Sequence, residues 1–327
     1  MRELKDGDFK LLERLVSLTQ GEVFSSLAQY LKSKYENVII TKHYIVAVGE
    51  IPIALVAHMD TVFKTPVVDL YYDRQKNVLW SPQGLGADDR AGVFAIVKIL
   101  QAGHRPSVIL TTDEERGGLG ACALAKAGPC PIPNLKYMIE LDRRGINDCV
   151  FYDCYCPSFV KYVEGFGFYE KYGSFSDISF LMDEWKTCGV NLSIGYEDEH
   201  SYSETLHVGP MMSTINKVIK MLKEVDIPTF EFNSLSSLPS DWWTDNEIYG
   251  ALCSKCHHIY SEYELFPVKG LDGKRKFYCP DCIVGNVDWC NICQEAYEIA
   301  DPTTNKQICK ECAEEICAKT SKNNSKQ

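Results

Sequence analysis

The sequence predicts an α/β protein with a three-layer αβα fold on a mostly parallel sheet, followed by a small C-terminal zinc-binding domain. Short apolar runs typical of strands alternate with amphipathic helical stretches as far as about residue 225. Nine of the fifteen cysteines lie between Cys253 and Cys317, eight of them in C-x-x-C pairs. A chain of 327 residues is long enough for one sizeable domain and a smaller one.

The first elements along the chain are helical, because apolar residues recur at helical spacing from Phe9 to about Tyr35. Apolar runs then predict strands at 38–48, 51–57, 107–111, 137–141 and 191–194. Helices are predicted near 89–102, 118–127, 158–164, 176–186 and 208–225. This alternation is typical of a mostly parallel sheet that is covered by helices on both faces.

The predicted domain organisation has four parts. Residues 1–226 form the larger domain, and 251–318 form a cysteine-rich module. Between them, 227–250 loses periodicity and collects Pro, Ser and Asn, which is typical of a linker. Trp242 and Trp243 either dock this linker on a neighbouring domain or are exposed loop residues. We expect 319–327 to be a disordered tail.

Composition and charge exclude some classes of protein. Hydrophobic content of 45% and charged content of 24% are those of an ordinary globular protein. A net charge of −11 argues against a protein that mainly grips nucleic acid, since that affinity rests on clustered Lys and Arg. No apolar run approaches the ~20 residues of a membrane span, and the N-terminus lacks the apolar core of a signal peptide. We therefore expect a cytoplasmic protein with no membrane partner.

Acidic residues and a histidine recur where the predicted strands end, which is where open α/β sheets bind ligands. They are His58, Asp60, Asp88, Asp89, Asp113, Glu114, Glu115 and Asp142. Singly, each has a simpler explanation: an aspartate that caps a helix, a solvated acidic turn, a core histidine. Their recurrence at four places along one predicted sheet favours a shared metal site.

These elements resemble the co-catalytic zinc exopeptidases, a superfamily that includes two-zinc aminopeptidases, peptidase T and glutamate carboxypeptidases. The resemblance covers about 51–225 and rests on five motifs in the order of that superfamily. The motifs are AHMDTV (57–62), GADDRAG (86–92), TTDEERGGLGA (111–121), ELDRRG (140–145) and IGYEDEHSYSETLHVGPM (194–211).

The resemblance implies a centre of two divalent metals in which Asp88 bridges both. His58 and Asp142 complete one metal, while Glu115 and His200 complete the other. His207 is the alternative to His200, but the acidic residue and the helix that follow His200 fit the superfamily pattern. Imidazole and carboxylate ligands suit zinc, with manganese or cobalt as possible substitutes.

Two further residues acquire roles from the resemblance. Asp60 hydrogen-bonds the ring of His58 and so fixes its tautomer. Glu114 is the general base that takes a proton from water and delivers it to the leaving amine. Two metals together activate water and polarise the scissile carbonyl. The superfamily often has a cis peptide at the position of Asp88–Asp89.

The chain departs from many relatives in one respect, because the stretch from Asp142 to Asn191 is too short for the lid domain that they insert there. We expect the compact, lidless, aminopeptidase-like arrangement. Arg90, Arg143 and Arg144 lie next to predicted ligands and either receive a substrate carboxylate or are exposed to solvent.

The C-terminal module has cysteine spacing typical of structural zinc sites rather than of redox dithiols. Two tetrahedral sites of four thiolates each are expected. The ligands are Cys253, Cys256, Cys279, Cys282, Cys290, Cys293, Cys309 and Cys312. Sequential pairing and a cross-brace are both compatible with the spacing. His257, His258 and Cys317 are expected not to be ligands.

The function that the sequence predicts is metal-dependent hydrolysis of peptide or peptide-like amide bonds, by an aminopeptidase-type exopeptidase. One alternative is an amidohydrolase that acts on an acylated small molecule. The other is a zinc-finger adaptor that uses the peptidase-like domain as a scaffold. A protein partner is the expected ligand of the zinc module, and nucleic acid is not.

Overall fold

The chain divides into two units, Met1–Leu238 and Pro239–Gln327. The structure is a computed structural model that describes 4–173, 175–234, 251–256, 259–260, 265–271, 275–284, 286–290 and 296–299. The division lies inside 227–250, the segment with linker composition. Trp242, Trp243 and the predicted tail lie outside the described residues.

Seven α-helices occur among the described residues of the first unit. They are α1 (Asp6–Val16), α2 (Gln20–Lys32), α3 (Ala87–Gln101), α4 (Leu119–Ala125), α5 (Pro157–Glu164), α6 (Asp177–Trp185) and α7 (Val208–Leu222). Local sequence explains two of the starts. The Thr19 side chain and Glu22 form a reciprocal capping box before α2. Pro157 begins α5, where the missing N–H of proline has no helical partner to lose.

Twelve strands occur among the same residues, most of them in one large sheet. They are β1 (Asn37–Ile40), β2 (Tyr44–Val48), β3 (Ile51–His58), β4 (Tyr71–Asp73), β5 (Val78–Trp80), β6 (Pro106–Thr111), β7 (Tyr137–Arg143), β8 (Asp148–Val150), β9 (Tyr169–Glu170), β10 (Gly189–Ser193), β11 (Tyr196–Glu197) and β12 (Thr205–His207).

The large sheet has a parallel centre and mixed edges. Its order is β1-β2-β6-β3-β7-β10-β8-β9. The central strands β6, β3, β7 and β10 run parallel, whereas β2 pairs antiparallel with β6 and β8 pairs antiparallel with β10. The carboxyl ends of β3, β6 and β7 therefore lie at one edge, where His58 is the last residue of β3 and Asp142 follows the buried part of β7.

One predicted strand, 38–48, is a hairpin of two strands, so the single-strand prediction was wrong. β1 and β2 pair antiparallel around a turn at 41–43. The Thr41 hydroxyl accepts hydrogen bonds from the backbone N–H groups of His43 and Tyr44, at 3.1 and 3.2 Å. A side chain thus stabilises a turn that lacks the Gly, Asn or Pro signals on which turn prediction depends.

A second, antiparallel sheet has the order β11-β12-β5-β4. The sequence analysis did not predict it, because strands of two or three residues are too short to show an alternating pattern. The last residue of β12, His207, immediately precedes α7.

Helices complete the three layers. α3 packs on β3 and β7 and contacts α1 and α7. α4 and α6 pack against each other; α4 contacts β2, and α6 contacts β3 and β10. Gly92 allows α3 to approach β7 closely, because a Cβ there would lie 2.4 Å from the Leu141 carbonyl oxygen and 2.4 Å from Asp89 Oδ1. The predicted three-layer α/β class is confirmed.

The packing of the first unit continues beyond residue 226. The Phe230 ring lies 4.7 Å from that of Phe159 and 5.8 Å from that of Tyr137. The Tyr155 N–H donates to the Asn233 carbonyl at 2.7 Å. Residues 227–234 therefore contribute to the first unit's stability, although their composition is that of a linker.

The second unit contains two small sheets, one antiparallel and one mixed. Ala251–Leu252 (β13) pairs with Ile259–Tyr260 (β14). A four-stranded sheet follows in the order β16-β15-β18-β17, built from Phe266–Lys269 (β15), Arg275–Tyr278 (β16), Val287–Trp289 (β17) and Ala296–Glu298 (β18). In this mixed sheet β15 and β18 pair in parallel. One short helix, Pro280–Ile283, lies between β16 and β17. In the part of the chain that the structure describes, no helix has the length and apolar character needed to cross a bilayer.

Candidate metal centre

His58 is buried at the carboxyl end of β3, and polar groups hold both its ring and its backbone. Ring Nδ1 lies 3.2 Å from Asp60 Oδ1. The backbone N–H donates to Asp89 Oδ2 at 3.2 Å. Because Nδ1 faces a carboxylate, Nε2 is the ring atom left to face the centre.

Asp88 lies between two histidines and offers one carboxylate oxygen to each. Its Oδ1 is 3.0 Å from His58 Nε2, and its Oδ2 is 3.1 Å from His200 Nε2. The Asp88–Asp89 peptide bond is cis. The buried Glu204 carboxylate accepts from the backbone N–H groups of Gly86 and Asp88, at 2.6 and 3.0 Å. Glu204 therefore positions the loop that carries Asp88.

Asp142 completes the cluster around His58. Its Oδ1 is 3.6 Å from His58 Nε2 and accepts from the Tyr196 hydroxyl at 3.1 Å. Its Oδ2 accepts from the Ser176 hydroxyl at 3.1 Å. The Asn191 side chain bonds both backbone groups of Asp142, accepting from N–H at 3.0 Å and donating to C=O at 2.9 Å. Asp142 is thus fixed through both its side chain and its backbone.

Glu115 and His200 form the other half of the cluster. Glu115 Oε2 is 3.0 Å from His200 Nε2. The other oxygen, Glu115 Oε1, is buried and has no hydrogen-bond partner among the described residues. His207 lies elsewhere, with its Nε2 3.5 Å from Glu197 Oε2. Of the two candidate histidines, the structure brings His200 to Asp88.

Glu114 lies beside the cluster in a short 3-10 turn, Glu114–Arg116. Its Oε2 is 4.0 Å from His58 Nε2. The Asp60 carboxylate accepts from the backbone N–H groups of Glu114 and Glu115, at 3.0 and 3.1 Å. Asp60 therefore fixes the two glutamates relative to His58, a role that the sequence analysis did not assign to it.

Two groups of potential metal ligands share Asp88. In each group the ligand atoms lie within 4.8 Å of one another. His58, Asp88 and Asp142 form one group, and Asp88, Glu115 and His200 form the other. Atoms of His58, Glu114 and Glu115 also lie within 4.8 Å of one another, so the Glu114 carboxylate is next to both groups.

The carboxylates dominate the electrostatics of the cluster. Hydrogen bonds to Asp88 and Glu115 raise the pKa of His200 to about 11. Burial lowers the pKa of His58, but Asp142, Asp60 and Asp88 together hold it well above its usual value. Burial, reinforced by nearby carboxylates, raises the pKa of Glu114 to about 9. The two histidine shifts reflect negative charge that the protein's own cations do not neutralise, whereas burial is the main cause of the Glu114 shift.

The residues present fit divalent cations. Two imidazole nitrogens and several carboxylate oxygens are the donor set that zinc, manganese and cobalt accept in proteins. Glu115 Oε1 is a buried acceptor without a donor, which is costly unless something else satisfies it. The carboxylates also raise the pKa values of His58 and His200. Without a cation, protons on these two rings balance the negative charge that a divalent cation would otherwise balance.

A separate cluster of thiols lies in the second unit. Cys253, Cys256, Cys279 and Cys282 place their sulfur atoms within 4.8 Å of one another. Burial raises the pKa of Cys253, but backbone N–H groups, including that of Cys279 at 3.4 Å, bring it down to about 7. The first C-x-x-C pair thus lies with the second, which is the sequential arrangement.

Of the other four predicted thiolate ligands, Cys290 alone is among the residues that the structure describes. Cys290 is buried beside Tyr297. Cys293, Cys309 and Cys312 lie outside the described residues, as do His257, His258 and Cys317. The second four-cysteine site stays a prediction.

The three arginines next to predicted ligands differ in environment. Arg90 is buried, and its Nη1 donates to the Leu15 carbonyl at 2.6 Å. Arg143 donates to the Tyr172 carbonyl at 3.1 Å. Arg144 pairs with Glu199 at 3.0 Å in an exposed position. The solvent-exposed alternative is therefore wrong for Arg90 and right for Arg144.

No protein-family model matches the chain, and no curated protein matches it either. Solved structures do. The aminopeptidase PepT from Bacillus cereus is 13% identical, with a TM-score of 0.50, over 65% of this chain and 96% of that one. A tripeptidase from Staphylococcus aureus is 15% identical, with a TM-score of 0.53, over 66% and 97%.

A TET aminopeptidase from a marine sediment thaumarchaeon is 14% identical, with a TM-score of 0.53, over 68% of this chain and 98% of that one. At such low identity these likenesses establish a shared fold. The predicted α/β fold is confirmed, and the chain shares it with these peptidase structures.

Proposed function

We propose that the first unit is a dinuclear metal-dependent hydrolase of peptide or peptide-like amide bonds, most nearly of the aminopeptidase type. The observation that carries this proposal is the pair of ligand groups that share Asp88, one with His58 and Asp142, the other with Glu115 and His200. Asp88 places one carboxylate oxygen in each group. Ion pairs that only stabilise the fold do not require one carboxylate to be shared in this way, whereas two neighbouring cations do.

The proposed ligand roles follow from those groups. Asp88 would hold both cations, His58 and Asp142 one, and Glu115 and His200 the other. Zinc suits these donors best, and manganese or cobalt can replace it. When bound, such cations supply positive charge that acidifies water and polarises a carbonyl group.

Glu114 is the proposed general base and acid. Its carboxylate lies at the edge of the centre, and its oxygen is 4.0 Å from His58 Nε2. In this position it accepts a proton from the attacking water and returns that proton to the leaving amine.

Shared fold and chain length support the aminopeptidase type. The structural neighbours include an aminopeptidase and a tripeptidase. From the end of β7 to the start of β10 the chain forms only short elements, β8, α5, β9 and α6, rather than an inserted lid domain. Binding of a protein partner by the second unit stays a prediction.

Two substitutions test the proposal. Glu114→Gln should lower turnover of a wild-type substrate by about 10²–10⁴-fold, because proton transfer is lost while the proposed ligands are kept. Asp88→Asn should remove activity together with metal. Turnover of alanine and leucine arylamides should be measured beside metal content, with the exposed Glu184→Gln as a matched control that changes neither.

Either of two results would contradict the proposal. One is full activity of Glu114→Gln on a substrate that the wild type hydrolyses. The other is metal-replete wild-type protein that hydrolyses no member of an aminoacyl, peptide and N-acyl amino acid panel. Hydrolysis of the N-acyl substrates alone would identify the amidohydrolase alternative.

A further inference from the structure

A cavity of about 460 Å³ lies directly beside the metal centre. Its walls are the turn at 18–20 between α1 and α2, the loop at 60–67, the loop at 84–86 and the acidic turn at 113–116. It shares Asp60 and Glu115 with the centre. The volume is within the range of small-ligand pockets, so a part of a substrate can enter it.

Arg90 lines this cavity, and its guanidinium has few hydrogen-bond partners among the described residues. The residue is only 2% exposed. Among its interactions with the described residues, the one hydrogen bond is from Nη1 to the Leu15 carbonyl, and Nε is buried without a partner. A buried guanidinium has five N–H donors, so most of its hydrogen-bonding capacity is available to a ligand.

Neighbouring carboxylates do not complete Arg90, because their oxygens are already bonded elsewhere. Asp60 is bonded to His58 and to the N–H groups of the glutamate turn. Asp89 accepts from the N–H groups of His58 and Gly92. Neither carboxylate forms an ion pair with Arg90 in the described structure. The guanidinium of arginine stays charged at neutral pH.

The wall contains two further cations. Lys64 is exposed and has no ion-pair partner among the described residues. Arg116 is paired with Asp113 at 3.3 Å. The wall also holds carboxylates, but none of them pairs with Arg90 or Lys64 in the described structure, so an anionic group of a ligand could pair with both.

We propose that this cavity receives a carboxylate group of the substrate, which the Arg90 guanidinium binds through its free N–H groups. This inference rests on the proposed function, since the cavity opens beside the centre where the amide bond would be cleaved. The carboxylate has two possible sources: an acidic side chain next to the scissile bond, or the free α-carboxylate of a short peptide.

Pairs of nearly isosteric substrates test the proposal and separate the two sources. Glutamyl and glutaminyl arylamides differ only in the side-chain carboxylate. Leucyl-glycine and leucyl-glycinamide differ only in the terminal carboxylate. In one of these pairs, kcat/KM of the wild type should be about 10- to 100-fold higher for the substrate with the carboxylate. A neutral amide cannot balance the charge of the Arg90 guanidinium or accept two of its N–H groups.

Arg90→Met should reduce that preference to within about threefold of unity, and Arg90→Lys should keep part of it, since lysine supplies charge without the planar fork. The exposed Arg74→Met is the matched control and should leave the preference unchanged. Circular dichroism and metal content will show whether Arg90→Met is folded. If it is not, the exposed Lys64→Glu should still lower the preference several-fold.

Binding without turnover separates this inference from the proposed function. Calorimetry with N-acetylglutamate and its diamide, which lacks both carboxylates, should show tighter binding of the acid by the full-length wild type and a much smaller difference in Arg90→Met. Absence of hydrolysis of every substrate would contradict the proposed function while leaving this measurement intact. No carboxylate preference in either substrate pair, together with equal binding of the two probes, would overturn the cavity proposal.

Discussion

At the scale of single residues, Asp60 connects the parts of the candidate centre. It contacts His58 Nδ1 and accepts from the backbone of Glu114 and Glu115. Burial raises the pKa of Asp60, but the interactions with His58 and the two N–H groups lower it below its usual value. An ionised Asp60 is thus part of the folded structure, and its loss would displace a ligand and the proposed base together.

The raised pKa values predict that the metal-free protein loses stability as pH rises. Glu114 has a pKa of about 9, Asp142 about 7 and His200 about 11 in the folded protein, all above unfolded values. Each binds its proton more tightly when folded. The two carboxyl contributions are lost between about pH 4 and 9, and that of His200 above about pH 6.5.

Thermal unfolding measures this effect. After mild chelation that spares the thiolate site, the Tm should fall steadily from pH 5 to pH 9. Zinc should raise the Tm more at pH 8 than at pH 6, since it replaces protons that are already leaving. Glu114→Gln should show a shallower fall, because an amide does not titrate. A metal-free Tm that rises over this range would contradict the electrostatic account.

Sequence reasoning identified the acidic residues and histidines that the structure brings together, but not the residues that hold them in place. His58, Asp88 and Asp142 follow apolar runs, and that pattern is visible along the chain. Glu204 and Asn191 bond the backbones of Asp88 and Asp142 across long sequence separations. The local sequence does not predict such contacts, because hydrogen bonds from a side chain to a distant backbone group depend on how the elements pack.

At the scale of secondary structure elements, the close packing of α3 on β7 sets the geometry of the centre. Asp88 is in the first turn of α3, and Asp142 is at the end of β7. Gly92 lies between them, where a side chain would meet backbone on one side and Asp89 on the other. The spacing of the two carboxylates therefore depends on a residue that has no functional group.

Gly92→Ala should lower the free energy of unfolding by about 1–3 kcal/mol, because the added methyl group must displace α3 from β7. Metal affinity should fall as well, since the displacement moves Asp88 away from Asp142. Gly21→Ala is the matched control: no atom lies within 4 Å of its Cβ position in α2. That change should raise stability by up to about 1 kcal/mol in denaturant unfolding. Equal stability of the two variants would contradict the packing argument.

Elements were predictable where their pattern was long enough. The runs that predicted strands at 51–57, 107–111 and 137–141 correspond to β3, β6 and β7, whose buried faces leave a continuous apolar signal. The split of 38–48 was missed because Thr41 stabilises the turn with its hydroxyl group. The strands of the small sheet were missed because two or three residues give no period.

At the scale of the whole molecule, the end of the first unit lies later than composition suggests. Phe230 packs in an aromatic cluster with Tyr137, Phe159 and Tyr162, and Asn233 accepts from the Tyr155 backbone. Composition and the loss of periodicity indicate a linker, but they do not show whether a single aromatic side chain packs against the preceding domain.

Two truncated chains test this boundary. A chain that ends after Leu238 retains these contacts, whereas one that ends after Asp226 loses them. The shorter chain should be less stable by roughly 2–4 kcal/mol, because it exposes the apolar surface that Phe230 covers. Phe230→Ala in the longer chain should reproduce most of that loss in urea unfolding. Identical midpoints for the two truncated chains would show that 227–238 only connects the units.

The carboxylate of Asp88 has a consequence for how the centre fills. Its two oxygens face different histidines, His58 and His200. In the proposed dinuclear centre, a cation held by one oxygen would weaken the other oxygen as a donor and would also hold the carboxylate in the orientation that a second cation requires. The two positions would therefore not fill independently, and protein with one equivalent of metal would be a distinct species. Such a centre could acquire two different elements, one at each oxygen of the same side chain.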